Sequence, residues 1–154
     1  MNTEQTSWTQ SVAGVLIRDG KVLLARHTYG GGKGKLIIPG GYLNQGEMPA
    51  EALIREYREE VGLQIAVGDL LGIRFNRKDW YAVFKVELMD GVPKADQDEI
   101  SEVLWLSPAE AFLREDVPDL TKKLIQCALD ASDNFGHIDY SGLNPPYQLY
   151  GQKK

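Results

Sequence analysis

Blocks of apolar positions separated by glycine, proline and charged residues divide the chain into a short series of elements. Residues 8–18 contain the unbroken apolar run Val12, Ala13, Gly14, Val15, Leu16, Ile17. A run of that kind predicts a strand buried on both faces. Asp19-Gly20 is a hairpin turn signal, and residues 21–28, with Val22, Leu23, Leu24 and Ala25, read as the partner strand. A glycine-rich loop follows at 29–35. A short strand at 36–38 is stopped by Pro39-Gly40-Gly41.

Residues 48–61 predict a helix. Pro49 suits its first turn and Gly62 its C-terminal cap, and Ala52, Leu53, Tyr57 and Val61 offer a packing face. Strands are predicted at 64–78 and 80–88, with Asp79 at the turn, and at 99–106, which carries Val103, Leu104 and Trp105. Ser107-Pro108-Ala109-Glu110 has the form of a capping box, and a further helix is predicted over 119–131. From Asp133 the signal fades, and 141–147 reads as a loop or extended tail. There is no internal repeat and no linker long enough to split domains. Residues 1–154 are therefore expected to form one mixed α/β (α+β) domain, a curved sheet with helices packed on it.

Composition narrows the function classes. The chain has 154 residues, 43% hydrophobic and 25% charged, ordinary for a globular domain that buries about two thirds of its unfolded surface. The formal net charge of −5 argues against strong general nucleic-acid binding. No apolar stretch approaches the roughly 18 residues of a membrane helix, and the first ten residues lack the pattern of a signal peptide. Cys127 is the one cysteine. It has no partner for an internal disulfide and reads as a small core residue, so a reducing, cytoplasmic setting is expected.

The chemistry concentrates between Gly41 and Leu63. At 100° per residue, Glu56, Glu59 and Glu60 fall within an arc of about 100° on one helix face. Like charges four residues apart cost a helix roughly 0.2–0.5 kcal/mol, so stability gives no reason for the cluster. Charge pattern alone also allows a solvated face with Glu51–Arg55 and Arg55–Glu59 pairs. A hard divalent cation such as Mg²⁺, which takes oxygen ligands, would reverse the local electrostatics.

The full spacing decides between these. Gly41, Glu47, Arg55, Glu56, Glu59, Glu60, Gly62 and Leu63 resemble the Nudix box, G-x5-E-x7-R-E-U-x-E-E-x-G-U, where U is a bulky aliphatic. Seven fixed identities at frequencies of roughly one in fifteen arise by chance about once in 10⁸ windows. Tyr57 departs from the pattern, standing where an aliphatic residue is usual. The Pro39-Gly40-Gly41 lead-in and the stretch from Glu102 to Leu106 also look like the family.

The resemblance implies a Nudix-type α/β/α sandwich with a curved mixed sheet and a loop–helix–loop box. It implies metal ligands at Glu56, Glu59, Glu60 and the Gly40 carbonyl, with Mg²⁺ or Mn²⁺ as cofactor. Arg55 would orient the glutamates. Glu47 would hold Arg55 or a metal-bound water, and Gly41 and Gly62 would shape the backbone. The base would be Glu56 or a later glutamate, with Glu99 favoured over Glu102. The implied reaction is attack of water on phosphorus in a nucleoside diphosphate linked to another group, such as a nucleoside triphosphate or a nucleotide sugar.

Two alternatives stand beside it. One is a dinucleoside polyphosphate or RNA 5′-end hydrolase, for which Tyr81, 18 residues past Leu63, is a weak pointer. The other is a non-catalytic nucleotide-sensing module, disfavoured because all the box glutamates are present. Arg26, Lys33, Lys35, Arg74 and Tyr81 are the candidates for substrate contact; Trp80 reads more simply as core, and His27 and His137 as structural. The partner is a small phosphorylated nucleotide-like molecule. A homodimer is also a candidate: the tail after Asp133, with Tyr140, Tyr147 and Tyr150, is read equally as an interface or as a segment that wraps its own domain.

Overall fold

The computed structural model describes residues 8–130, 134–139 and 148–152. The reading of 141–147 as loop, and Tyr140 and Tyr147 as interface candidates, fall outside these residues. Strand β1 (Thr9–Arg18) turns into β2 (Lys21–His27) through Asp19 and Gly20, at φ 53° and 76°. The Asp-Gly pair supplies the two positive φ values of a tight hairpin turn.

The two strands stay paired only at Ile17–Val22 and Arg18–Lys21. Beyond that they separate and recruit different neighbours. β1 runs antiparallel to β4 (Gly40–Tyr42) and parallel to β6 (Asp79–Asp90). β2 pairs with β3 (Leu36–Ile37) and β7 (Ile100–Leu106). β5 (Gln64–Phe75) lies antiparallel to β6, and β8 (Phe135–Ile138) and β9 (Leu149–Gln152) continue from it. The order is β3-β2-β1-β6-β5-β8-β9, with β4 added on β1 and β7 on β2.

The apolar run of β1 is explained by helices on both sides. Val12 and Leu16 join Leu23, Ala82, Phe84 and Val86 against α1 (Pro49–Val61). Ala13 and Val15 join Val22, Leu24 and Val83 against α2 (Pro108–Leu113) and α3 (Asp119–Leu129). Alternate residues of one strand therefore feed opposite cores, and the α/β/α layering follows. Among the described residues, no helix is long and apolar enough to cross a membrane.

Tyr57 settles how α1 sits on the sheet. Its ring is fully buried, and its hydroxyl donates to the Gly14 carbonyl at 2.6 Å. A Cβ at Gly14 would lie 2.8 Å from Val86 and 3.1 Å from the Tyr57 ring, so the glycine makes room for the tyrosine. The departure from the aliphatic pattern is thus a buried anchor between helix and strand.

Several expectations are corrected. β3 does stop ahead of Pro39-Gly40-Gly41, but the run also starts a strand that was not expected: β4 begins at Gly40 and joins β1. The approach needs glycine, since a Cβ at Gly40 would meet the Val12 carbonyl oxygen at 2.0 Å. The strand predicted to reach 78 stops at Phe75, because the Asn76 side chain accepts from the N–H groups of Lys78 and Asp79 and makes the turn there. The last helix ends at Leu129 rather than 131. The β8–β9 hairpin was not read from sequence; its strands are four residues each and only partly buried.

Candidate active site

The box folds as a loop, a helix and a cap. Glu47 accepts from the Asn44 N–H at 2.7 Å and closes the loop. Glu51 reaches back to the Met48 N–H at 2.8 Å and starts the helix. Gly62, at φ 70°, ends it, with its N–H on the Arg58 carbonyl and that of Leu63 on the Tyr57 carbonyl. Left-handed backbone of this kind suits glycine.

β4 brings its glycines against the acidic face of α1. The Gly40 N–H donates to Glu60 Oε1 at 3.0 Å. A Cβ at Gly41 would lie 2.5 Å from the Glu56 carboxyl carbon, so only glycine leaves room for that carboxylate. Glu60 is 3% exposed. Burial pushes its pKa up to about 8; the Gly40 bond opposes the shift, and Glu56, Glu99 and Asp96 add to it. Burial also raises Glu56, opposed by Arg55 and reinforced by Glu59 and Glu99. A cation beside carboxylates that raise one another's pKa would favour their charged forms.

Arg55 binds this face together. It donates to Glu47 at 2.7 and 2.9 Å, to Glu56 at 2.8 Å, to Glu59 at 3.1 Å and to the Tyr42 carbonyl at 3.0 Å. The Glu47 carboxyl is held below its ordinary value, chiefly by the Arg55 bond.

Glu56, Glu60 and Glu99 open on one cleft of about 510 Å³. Gly40, Gly41, Tyr42 and Asn44 form its box wall, and Tyr29 to Gly32 come from the loop after β2. The lining also holds Ser11, Arg74, Asp79 and Tyr81, together with Pro118, Leu120 and Thr121 at the start of α3. Arg74 bonds Asp79 at 2.9 Å and lies 5.6 Å from the centre of the Tyr81 ring. Burial pushes the Tyr81 hydroxyl above its ordinary range.

The candidates from sequence divide accordingly. Glu56, Glu60, Glu99, Gly40, Gly41, Arg74 and Tyr81 meet in the cleft. Glu59 lies outside the lining, 56% exposed and bonded to Arg55. Lys33 and Lys35 are exposed and also lie outside it. Arg26, a candidate phosphate contact, lies outside it as well. Its donors go to the Gly34 carbonyl, Asp116 and Glu102, which fasten the glycine-rich loop to the neighbouring segments.

Sequence reasoning missed the aromatic and far-wall residues, because Tyr29, Tyr42, Asp79 and Thr121 belong to no shared motif. His27 was set aside as structural, yet it lines the cleft. Burial lowers its pKa against the opposing pull of Asp96, and its Nε2 is buried without a partner.

The acidic side chains suit a hard cation in kind, since every donor is oxygen. Among the described residues, no three acidic or histidine side chains already converge at ligand distance. Arg55 holds Glu56 and Glu59 in this state.

A NUDIX domain family model matches residues 8–126. A MutT-like protein of Streptomyces ambofaciens is 36% identical over 107 residues, 68% of this chain and 67% of that protein. An ADP-ribose pyrophosphatase of Methanocaldococcus jannaschii is 40% identical over 63 residues, 41% of this chain but only 37% of that protein. A solved NUDIX hydrolase from Nitrosomonas europaea superposes with a TM-score of 0.72 at 25% identity, covering 80% of this chain and 90% of that one.

Proposed function

The chain belongs to the NUDIX family of hydrolases, and from that premise we propose that it uses a divalent cation to hydrolyse the diphosphate bond of a nucleoside diphosphate linked to a further group. The observation that carries this reading is that Glu56, Glu60 and Glu99 line one cleft with Gly40 and Gly41. In this proposal Glu56, Glu59, Glu60 and the Gly40 carbonyl hold the cation, Mg²⁺ or Mn²⁺. The bound ion supplies charge neutralisation at the diphosphate and acidifies water.

The chain's own residues do the rest. Glu99, or Glu56, accepts the proton of the attacking water. Arg55, itself fixed by Glu47, keeps Glu56 and Glu59 on the same face. Gly41 gives Glu56 its place. Arg74 and Tyr81 orient the nucleoside by charge and by stacking.

The test is product release from nucleoside triphosphates, nucleotide sugars, dinucleoside polyphosphates and capped RNA, each with Mg²⁺, with Mn²⁺ and with EDTA. Cleavage of a nucleoside diphosphate derivative that stops in EDTA is expected. Equal turnover in EDTA would remove the metal from the reading. Binding without cleavage of any substrate would make the chain a sensing module.

A further inference from the structure

Glu99 is held on the cleft in a different way from Glu56 and Glu60. Arg55 bonds the Glu56 carboxylate, and the Gly40 N–H bonds that of Glu60. Among the described residues, no hydrogen bond or ion pair holds the Glu99 carboxylate. Glu99 is exposed, so its place on the lining depends on the backbone that carries it.

That backbone is pinned at both ends and in the middle. The Lys94 N–H donates to the Val61 carbonyl at the end of α1, at 2.9 Å, and Ala95 is buried in the core that α1 shares. On the far side, Ile100 is fully buried and pairs with His27 of β2. Between these anchors, Asp96 Oδ1 accepts from three consecutive N–H groups: Asp98 at 3.0 Å, Glu99 at 3.0 Å and Ile100 at 2.8 Å. The Thr28 N–H donates to the Glu99 carbonyl at 3.0 Å, and the Thr28 hydroxyl to the Asp98 carbonyl at 2.8 Å. Both backbone polar groups of Glu99 are therefore taken. Gln97 stands at φ 68°, left-handed backbone that a side-chain-bearing residue keeps only when its surroundings impose it. Charge alone gives no reason for an acid at position 96, since Asp96 and Glu99 both add to the raised pKa of Glu60.

We infer that Asp96 is a positioning residue: by holding the backbone of residues 98–100, it sets the Glu99 carboxylate on the cleft as the base of the reaction. The oxygen of the attacking water bonds to phosphorus, its proton goes to Glu99, and the bridging oxygen leaves with the other phosphate. This rests on the hydrolytic reading above and gives the base to Glu99 rather than Glu56. Glu102, the other later glutamate, is paired with Arg26 outside the lining.

A double-mutant cycle tests this. In Mg²⁺, kcat and KM are read on whichever of ATP, CTP, ADP-ribose, UDP-glucose, diadenosine tetraphosphate and capped RNA the native chain cleaves fastest. Asp96→Ala should lower kcat by about 10- to 100-fold and leave KM within about twofold, the order of loss expected when a reacting group is misplaced by about 1 Å. Asp96→Asn keeps an oxygen acceptor without the charge, and its kcat should stay within about threefold of native. Glu99→Gln should lower kcat by about 100-fold or more, and adding Asp96→Ala to it should lower kcat no further. In metal-free protein, amide exchange followed by NMR should quicken about tenfold at Glu99 and Ile100 in Asp96→Ala and stay native in Asp96→Asn. Thermal melts establish that each variant folds.

Native kcat in Asp96→Ala, or losses that multiply in the double variant, would overturn the positioning role and leave the hydrolase standing. Full activity in Glu99→Gln would overturn it by removing the base. Native amide exchange at Glu99 and Ile100 in Asp96→Ala would overturn it whatever the turnover. Cleavage of none of the six substrates by the native chain would remove the hydrolytic reading, and the role of Asp96 with it.

Discussion

Two arginines of this molecule are held in nearly the same way and have opposite consequences. Arg55 is gathered by Glu47, Glu56, Glu59 and the Tyr42 carbonyl. Arg26 is gathered by Glu102, Asp116 and the Gly34 carbonyl. The difference lies in what the carboxylates face. Glu56 opens on the cleft, whereas Glu102 and Asp116 do not line it. The Arg26 cluster ties the glycine-rich loop to β7 and to the segment before α3. The Arg55 cluster holds a carboxylate that opens on the cleft, the one to which the proposed function gives a cation, so an ion pair's meaning is read from its acceptors.

The largest effect that would break this comparison is on turnover. Arg55→Gln should lower kcat/KM by about 10- to 100-fold, the usual cost of losing a residue that orients ligating groups, with little change in melting temperature. Arg26→Gln should leave kcat/KM little changed and cost at most about 1 kcal/mol of stability, because its partners are substantially exposed. If Arg26→Gln were the variant that lost activity, the two clusters would have been assigned the wrong way round.

A smaller effect sharpens the comparison through pH. Without metal, Glu60 has a folded pKa near 8 against an ordinary value of 4.5. A raised pKa favours the protonated fold, so its contribution is complete below about pH 4.5 and is lost as pH rises through about 8. The Asp116 carboxyl has the opposite sign. Arg114 first, and then Arg26, hold it below 3.8, so its contribution is present above that value and is lost as pH falls. In EDTA, the melting temperature should therefore decline from roughly pH 5 to pH 8. Mg²⁺ or Glu60→Gln should flatten the decline. A metal-free profile that is flat or rising over this range would contradict the placement of Glu60 as a buried carboxylate.

The smallest effect concerns the frame that carries Arg55. Tyr57→Phe removes one buried hydrogen bond and should cost about 1 kcal/mol, a fall of roughly 2–4 °C in melting temperature for a domain of this size. Differential scanning calorimetry reads this directly. No change would mean that packing of the ring alone holds α1 on β1.

The sequence by itself determined the reaction class, the helix at residues 49–61 and the main strands. Periodicity marks elements whose faces are buried, and the box packs its glycines, arginine and glutamates into 23 consecutive residues, so local spacing is enough to read them. The resemblance named Glu47 as the holder of Arg55 or of a metal-bound water, and the structure has Glu47 and Arg55 at 2.7 Å. Tertiary structure alone decided the rest. β4 was hidden because a Pro-Gly-Gly run signals a stop, yet glycine is also what permits the close approach to β1. Arg26 and Arg74 are alike as residue types; only the fold sends one to an outer ion-pair cluster and the other into the cleft. The wall made by Tyr29, Tyr42, Arg74, Asp79, Tyr81 and Thr121 comes from separate segments. No spacing along the chain records it, because strand pairing and α3 packing, both non-local, bring these side chains together.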